Sequence, residues 1–157
     1  MDQNLKSYIE KHKIKYKIYE HPPVFTVEES KKIKFKVPGL HTKCLFLKDS
    51  NNKFYLICLP AEKRLNTNLI RKKFNLKKLN FASPEELKST LNLTPGSVSL
   101  FGTIYSKKVY LIIDQEIWEA DLVGFHPNIN TSTIVLDHDN LEKFYNSLKA
   151  RKQVMDI

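Results

Sequence analysis

Apolar positions change their spacing several times along this chain, and each change predicts an element. Leu5, Tyr8, Ile9 and His12 fall at the i, i+3, i+4, i+7 spacing of one helix face, with Asp2 placed as a cap. KYKIYEH, residues 15–21, then alternates as a short strand. Thr26 and Glu29 form a capping-box pattern that opens a second helix, ended by Pro38 and Gly39. Lys43–Lys48 and Phe54–Leu59 read as two strands joined by the turn DSNNK, a hairpin. Asn66–Phe74 is helical with a basic outer face. Ser83, Pro84 and Glu86 supply cap, first-turn proline and capping-box acid for a further helix. TPGS, residues 94–97, is a turn, followed by strand patterns at Val98–Phe101, Val109–Ile113, Asp121–Phe125 and Thr133–Leu136. The last helix starts near Asp137 or Asp139 and carries Leu141, Phe144, Tyr145 and Leu148 on one face. Hairpins interspersed with helices predict an α+β fold with a curved, largely antiparallel mixed sheet. With no repeat, linker or low-complexity block, residues 1–157 read as a single domain.

One position in the first hairpin does not suit its surroundings. His41, Lys43, Leu45 and Leu47 share one strand face, and Thr42, Cys44 and Phe46 the other. From Cys44 onward both faces are apolar, as in a strand covered on both sides. An ammonium there is costly unless it is paired or serves a ligand. Periodicity by itself favours the plainer reading, a Lys43 that snorkels to water from the strand's first turn.

Composition adds limits. At 157 residues the chain can bury a core without staples. No apolar run approaches a membrane span, and MDQNLKSYIEKHKIK has no signal-peptide core, so a cytoplasmic protein with no membrane partner is expected. Cys44 and Cys58 both lie in apolar strand patterns and read as buried free thiols. The net charge of +9 is uneven, because residues 1–78 hold 19 Lys/Arg against 7 Asp/Glu while the remainder holds 7 against 10. KKIKFK at 31–36, Lys63–Arg64 and Arg71–Lys73 could face a polyanion.

The motifs for common chemistries are missing. Gly39, Gly96, Gly102 and Gly124 have neither dinucleotide-fingerprint nor P-loop spacing. The five histidines give no helical metal-ligand pair, no serine sits in a nucleophile elbow, and Asp137-His138-Asp139 reads as a helix cap. Neither a cofactor nor a metal is expected. What remains are turn-associated motifs. PGS can leave backbone amides free for an anion or a polarised carbonyl, FHP fixes a histidine at a strand end, and Lys43 can hold a phosphate or polarise a carbonyl.

Taken in order, HPPVFTVEES at 21–30, GLHTKCLFLKD at 39–49, FASPEEL at 81–87, LTPGSVSLFG at 93–102 and FHPNINTST at 125–133 resemble the YbaK-like aminoacyl-tRNA deacylases. The likeness is greatest to the prolyl-tRNA editing branch, which also occurs as an editing domain of prolyl-tRNA synthetase, and it runs from about Tyr8 to Tyr145. The resemblance implies a YbaK-like, barrel-like sheet with surrounding helices. It also implies hydrolysis of the ester joining a wrong amino acid to the tRNA 3′ end by water, without metal or enzyme nucleophile. Within it, Lys43, Gly96 and His126 are the catalytic positions: Lys43 anchors the terminal phosphate or the carbonyl, the Gly96 loop contacts the aminoacyl group, and His126 lines its pocket. Phe25, Cys44, Ser97, Asn130 and Thr131 are implied substrate contacts. Lys31, Lys32, Lys34 and Lys36 are the expected tRNA contacts by their nearness to the site in sequence, and prolyl-tRNA synthetase is an expected partner. Cys44 replaces the asparagine usual after the lysine, and Leu100 a usual proline. Alanyl-tRNA(Pro) is the expected substrate, with cysteinyl-tRNA(Pro) or another small aminoacyl-tRNA behind it, and a non-catalytic tRNA- or synthetase-binding module is the alternative of another class.

Overall fold

Helix α1, Gln3–Lys11, begins where an Asp2 carboxylate oxygen accepts the Asn4 amide at 3.0 Å, and it turns Leu5 and Ile9 into the core. The structure, a computed structural model, describes residues 1–23, 28 and 36–157. The helix expected between Thr26 and Pro38 therefore lies largely outside the described residues. So do Phe25, Lys31, Lys32 and Lys34.

Eight strands follow: β1 Lys17–Glu20, β2 Leu40–Asp49, β3 Phe54–Pro60, β4 Leu79–Phe81, β5 Val109–Asp114, β6 Leu122–Phe125, β7 Ser132–Asp137 and β8 Lys152–Met155. The sheet runs β1-β7-β6-β2-β3-β5-β8, with β4 beside β2. Four pairings are antiparallel (β1–β7, β2–β3, β2–β4 and β6–β7), and β2–β6, β3–β5 and β5–β8 are parallel. The fold is thus α+β with a mixed, mostly antiparallel sheet. The predicted hairpin is present, with Cys44 opposite Cys58 and Lys43 opposite Leu59.

Burial on both faces of β2 and β3 confirms the two-sided pattern. On one face Cys44, Phe46, Leu56 and Cys58 join the larger core, with Phe101, Phe125 and Phe144 and the apolar face of α1. On the other, Leu47, Tyr55, Ile57 and Leu59 pack with Ile70, Leu79 and Ile112 in a second cluster. Ile70 belongs to α2, Thr67–Phe74, capped by Asn66 and ended by Asn75 in the left-handed conformation. Helix α3, Pro84–Leu91, has the full capping box of Ser83 and Glu86. Two further helices are α4, Gln115–Glu119, and α5, His138–Ser147, the latter capped by Asp137 as the sequence indicated. No helix among the described residues is long and apolar enough to cross a membrane.

Four elements differ from expectation. Val98–Phe101 is not a strand: Ser99 Oγ accepts the Phe101 amide at 3.1 Å and opens a 3-10 helix, Leu100–Tyr105. That local side-chain bond outcompetes extension and still buries Leu100 and Phe101. Strands β4 and β8 and helix α4 are too short to show a period.

Candidate active site

The site lies where the sheet divides along one edge of β2. At its start β2 pairs with β6 through Leu40 and His41; from Leu47 onward it pairs with β4. Between them Thr42 Oγ1 donates to the Gly124 carbonyl at 2.6 Å, and the Phe46 carbonyl accepts the Ala82 amide at 3.0 Å. Odd-numbered positions bond toward β3, as the Ala61 amide does to the His41 carbonyl. By alternation, the Cys44 amide and carbonyl face the gap.

A cavity of about 220 Å³ opens at this gap, lined among others by Cys44, Phe46, Phe81, Leu87, Gly96 and Val98. Its apolar walls and small volume suit a small side chain. Gly96, at φ +88°, takes the left-handed conformation that favours glycine. The Ser97 amide closes the turn onto the Thr94 carbonyl at 3.0 Å, so it is not one of the free donors expected of this loop. The amides of Gly96 and Val98, in contrast, donate to no protein group among the described residues. Cys44 is both cavity wall and core: its Sγ lies 2.9 Å from the Cys58 sulfur, and both are free thiols. Burial pushes the Cys58 thiol well up, which keeps it protonated and a poor nucleophile.

Lys43 is on the other face of β2. It is half-buried, and among the described residues it has neither a hydrogen-bond nor an ion-pair partner. Burial lowers its pKa from the ordinary 10.5. His126 follows β6 and is joined to the glycine loop, because Ser99 Oγ donates to its carbonyl. Its Nδ1 is 3.2 Å from the Ser132 carbonyl, which can only accept, so Nδ1 bears the proton and Nε2 presents a lone pair. Burial lowers its pKa, the carbonyl opposes that, and His21 and His41 lower it further.

Sequence reasoning passed over those two histidines. His21 lies with its ring centroid 6.2 Å from that of His126, its Nδ1 2.8 Å from the Pro22 carbonyl and its Nε2 2.8 Å from Thr133 Oγ1. His41 Nε2 is 3.1 Å from the Val37 carbonyl. Their positions inside the two motifs were the available signal. Among the described residues no set of three or more His, Cys, Asp or Glu groups is arranged to hold a metal.

The fold therefore brings Cys44, Gly96 and Ser97 together at or beside the cavity, and it ties His126 to that loop through Ser99. Lys43 is adjacent in the chain to the cavity wall but is not part of the lining. Asn130 and the exposed Thr131 lie in the β6–β7 loop, also outside the lining; the Thr131 carbonyl accepts the His21 amide at 2.9 Å. Lys36 is exposed just before Val37.

Residues 21–144 match the aminoacyl-tRNA editing domain. The chain belongs to that family. Editing domains are deacylases, so this chain is an ester hydrolase of aminoacyl-tRNA. It is 35% identical over 134 residues to the prolyl-tRNA editing protein ProX of Acetoanaerobium sticklandii, a match covering 83% of this chain and 82% of the relative. It is 31% identical over 138 residues to prolyl-tRNA synthetase associated domain-containing protein 1 of Xenopus laevis, covering 84% and 82%. A solved structure described as a candidate trans-editing enzyme for prolyl tRNA synthetase has the same fold, with TM-score 0.76, 16% identity and coverage of 99% and 97%. The editing-domain match spans the divided edge, the glycine loop and His126 alike.

Proposed function

We propose that this editing domain removes a small, wrongly attached amino acid from tRNA(Pro), with alanyl-tRNA(Pro) as first substrate and cysteinyl-tRNA(Pro) as second. The observation that carries the reading is the apolar cavity beside two unpartnered backbone amides. A small side chain enters the cavity, and the Gly96 and Val98 amides stand at its edge, where an ester carbonyl becomes an oxyanion. The names of the relatives favour tRNA(Pro) as the carrier.

In this mechanism water attacks the ester carbonyl, and the tetrahedral oxyanion is held by the loop amides. Collapse expels the ribose oxygen, which takes a proton from solvent or a neighbouring hydroxyl, releasing free amino acid and tRNA. Lys43 supplies the unspent positive charge that fixes the terminal phosphate or polarises the carbonyl. His126, neutral with Nε2 free, accepts a hydrogen bond from the substrate's ammonium group or from water. An activated ester is already labile, so positioning and a few donors give a useful acceleration.

Deacylation assays on alanyl-, cysteinyl-, seryl- and prolyl-tRNA(Pro) test this. Turnover is expected for the first two and not for correctly charged prolyl-tRNA. Absence of turnover on all four would overturn the hydrolytic reading and leave a binding module. A pulldown with prolyl-tRNA synthetase tests the partner.

A further inference from the structure

The sheet face that carries Lys43 also carries a cationic helix, which the catalytic reading does not use, and an exposed aromatic at the rim of the cavity. Phe81 is 68% exposed, the most exposed of the large apolar residues described, yet it borders the cavity. It stands opposite Leu47 in the β2–β4 ladder, on the same face as Lys43 and Leu45. Lys43 and Leu47 are four residues apart, about 13 Å along the strand. Behind Phe81, Leu79 and the α2 residue Ile70 share one buried cluster, which seats α2 on this face.

Residues 64–78 contain Arg64, Arg71, Lys72, Lys73, Lys77 and Lys78 and no acid. None of these six is ion-paired among the described residues, and all but Arg71 are exposed. Arg71 is fixed instead, donating to Asn68 Oδ1 at 3.2 Å and to the Lys77 carbonyl at 2.9 Å, which ties α2 to the segment entering β4. Of the acids that follow β4, Glu86 is held by Lys48 at 3.0 Å and Glu85 is exposed.

Resting on the deacylase reading and extending it, we propose that Phe81 is a stacking platform for an unpaired base of the tRNA 3′ end, and that the α2 face guides the adjoining phosphates. An exposed aromatic flanked by unpaired cations is the pattern by which proteins hold single-stranded nucleic acid, since every base offers a π face. The path then runs from α2 across Phe81 to the cavity and Lys43. An acidic protein partner would use the cations and leave the aromatic without a role.

Binding of uncharged tRNA(Pro) transcript, read by fluorescence anisotropy, tests the proposal without requiring hydrolysis. The comparison probe is the same transcript lacking its four 3′-terminal nucleotides. Phe81→Ala should weaken binding of the intact transcript about tenfold and leave the weaker binding of the truncated one unchanged. Lys72→Gln/Lys73→Gln/Lys77→Gln/Lys78→Gln should weaken both probes and flatten the dependence of log affinity on log salt by at least about 1. Thermal melts check that both variants remain folded, as exposed positions allow. Equal affinity of wild type and Phe81→Ala for the intact transcript overturns the platform, and an unchanged salt slope in the lysine variant overturns the phosphate track. Failure of wild type to hydrolyse any charged tRNA, with these binding differences intact, would instead count against the deacylase reading.

Discussion

Two lysines, Lys43 and Lys63, show opposite treatment of buried charge within one sheet. Lys63 follows β3 and meets Asp114 at 2.8 Å, Glu116 at 3.4 Å and Asp156 at 4.0 Å. Its pKa is raised, chiefly by the bond to Asp114, whose side chain is fully buried. Lys43 lies at the same open end of the hairpin, opposite Leu59, meets no carboxylate among the described residues, and has its pKa lowered by burial. The first lysine neutralises a charge the fold itself buries. The second has no such partner among the described residues, and it is the lysine proposed to meet the substrate. A partly desolvated cation without a partner marks a ligand site more clearly than a paired one.

The largest effect that could break this contrast is on catalysis. Lys43→Ala should lower kcat/KM for deacylation about a thousandfold, near 4 kcal/mol of transition-state stabilisation, with unfolding free energy changed by less than about 0.5 kcal/mol. Surviving activity would make Lys43 a surface lysine after all. Lys63→Ala should do the reverse: denaturant unfolding should show a loss of about 3 kcal/mol because Asp114 is left buried without its cation. Its kcat/KM should hold wherever the variant is folded, and a catalytic defect in folded protein would erase the distinction.

His126 is an intermediate case, with one ring nitrogen committed and the other without a partner among the described residues. Its folded pKa lies below the ordinary value of about 6.5. The neutral ring therefore contributes stability that is fully present above that value and is lost as pH falls through the folded pKa. The kcat/KM profile should be level above pH 6.5 and fall about tenfold per unit below the depressed pKa. An acid limb inflecting above 6.5 would contradict the burial argument. The smallest effect is expected at Cys44, where Cys44→Ala trims the cavity wall by one sulfur. The ratio of cysteinyl- to alanyl-tRNA deacylation should shift by no more than about tenfold. An unchanged ratio would assign the thiol to its contact with Cys58 alone.

Much of this was legible from local pattern. The hairpin, the caps at Asp2, Ser83 and Asp137, the basic face of α2 and the buried thiols all follow from spacing and short-range chemistry. Other readings depended on distant partners. Lys63 looked like one half of a basic surface cluster until β5 brought Asp114 against it. The Ser97 amide looked free until the turn closed on Thr94. Val98–Phe101 has the composition of a strand, but Ser99 bonds its own backbone and the His126 carbonyl, and the segment coils.

The sequence by itself determined that Lys43 stands at the start of a strand apolar on both faces, because alternation and burial are local rules. Only the tertiary structure decided that this charge meets no partner among the described residues. The parting of β6 and β4 along β2 opens the cavity, the glycine loop crosses to His126 through Ser99, and His21 comes within 6.2 Å of that ring. Each of these depends on contacts between segments far apart in the chain, which no periodicity records.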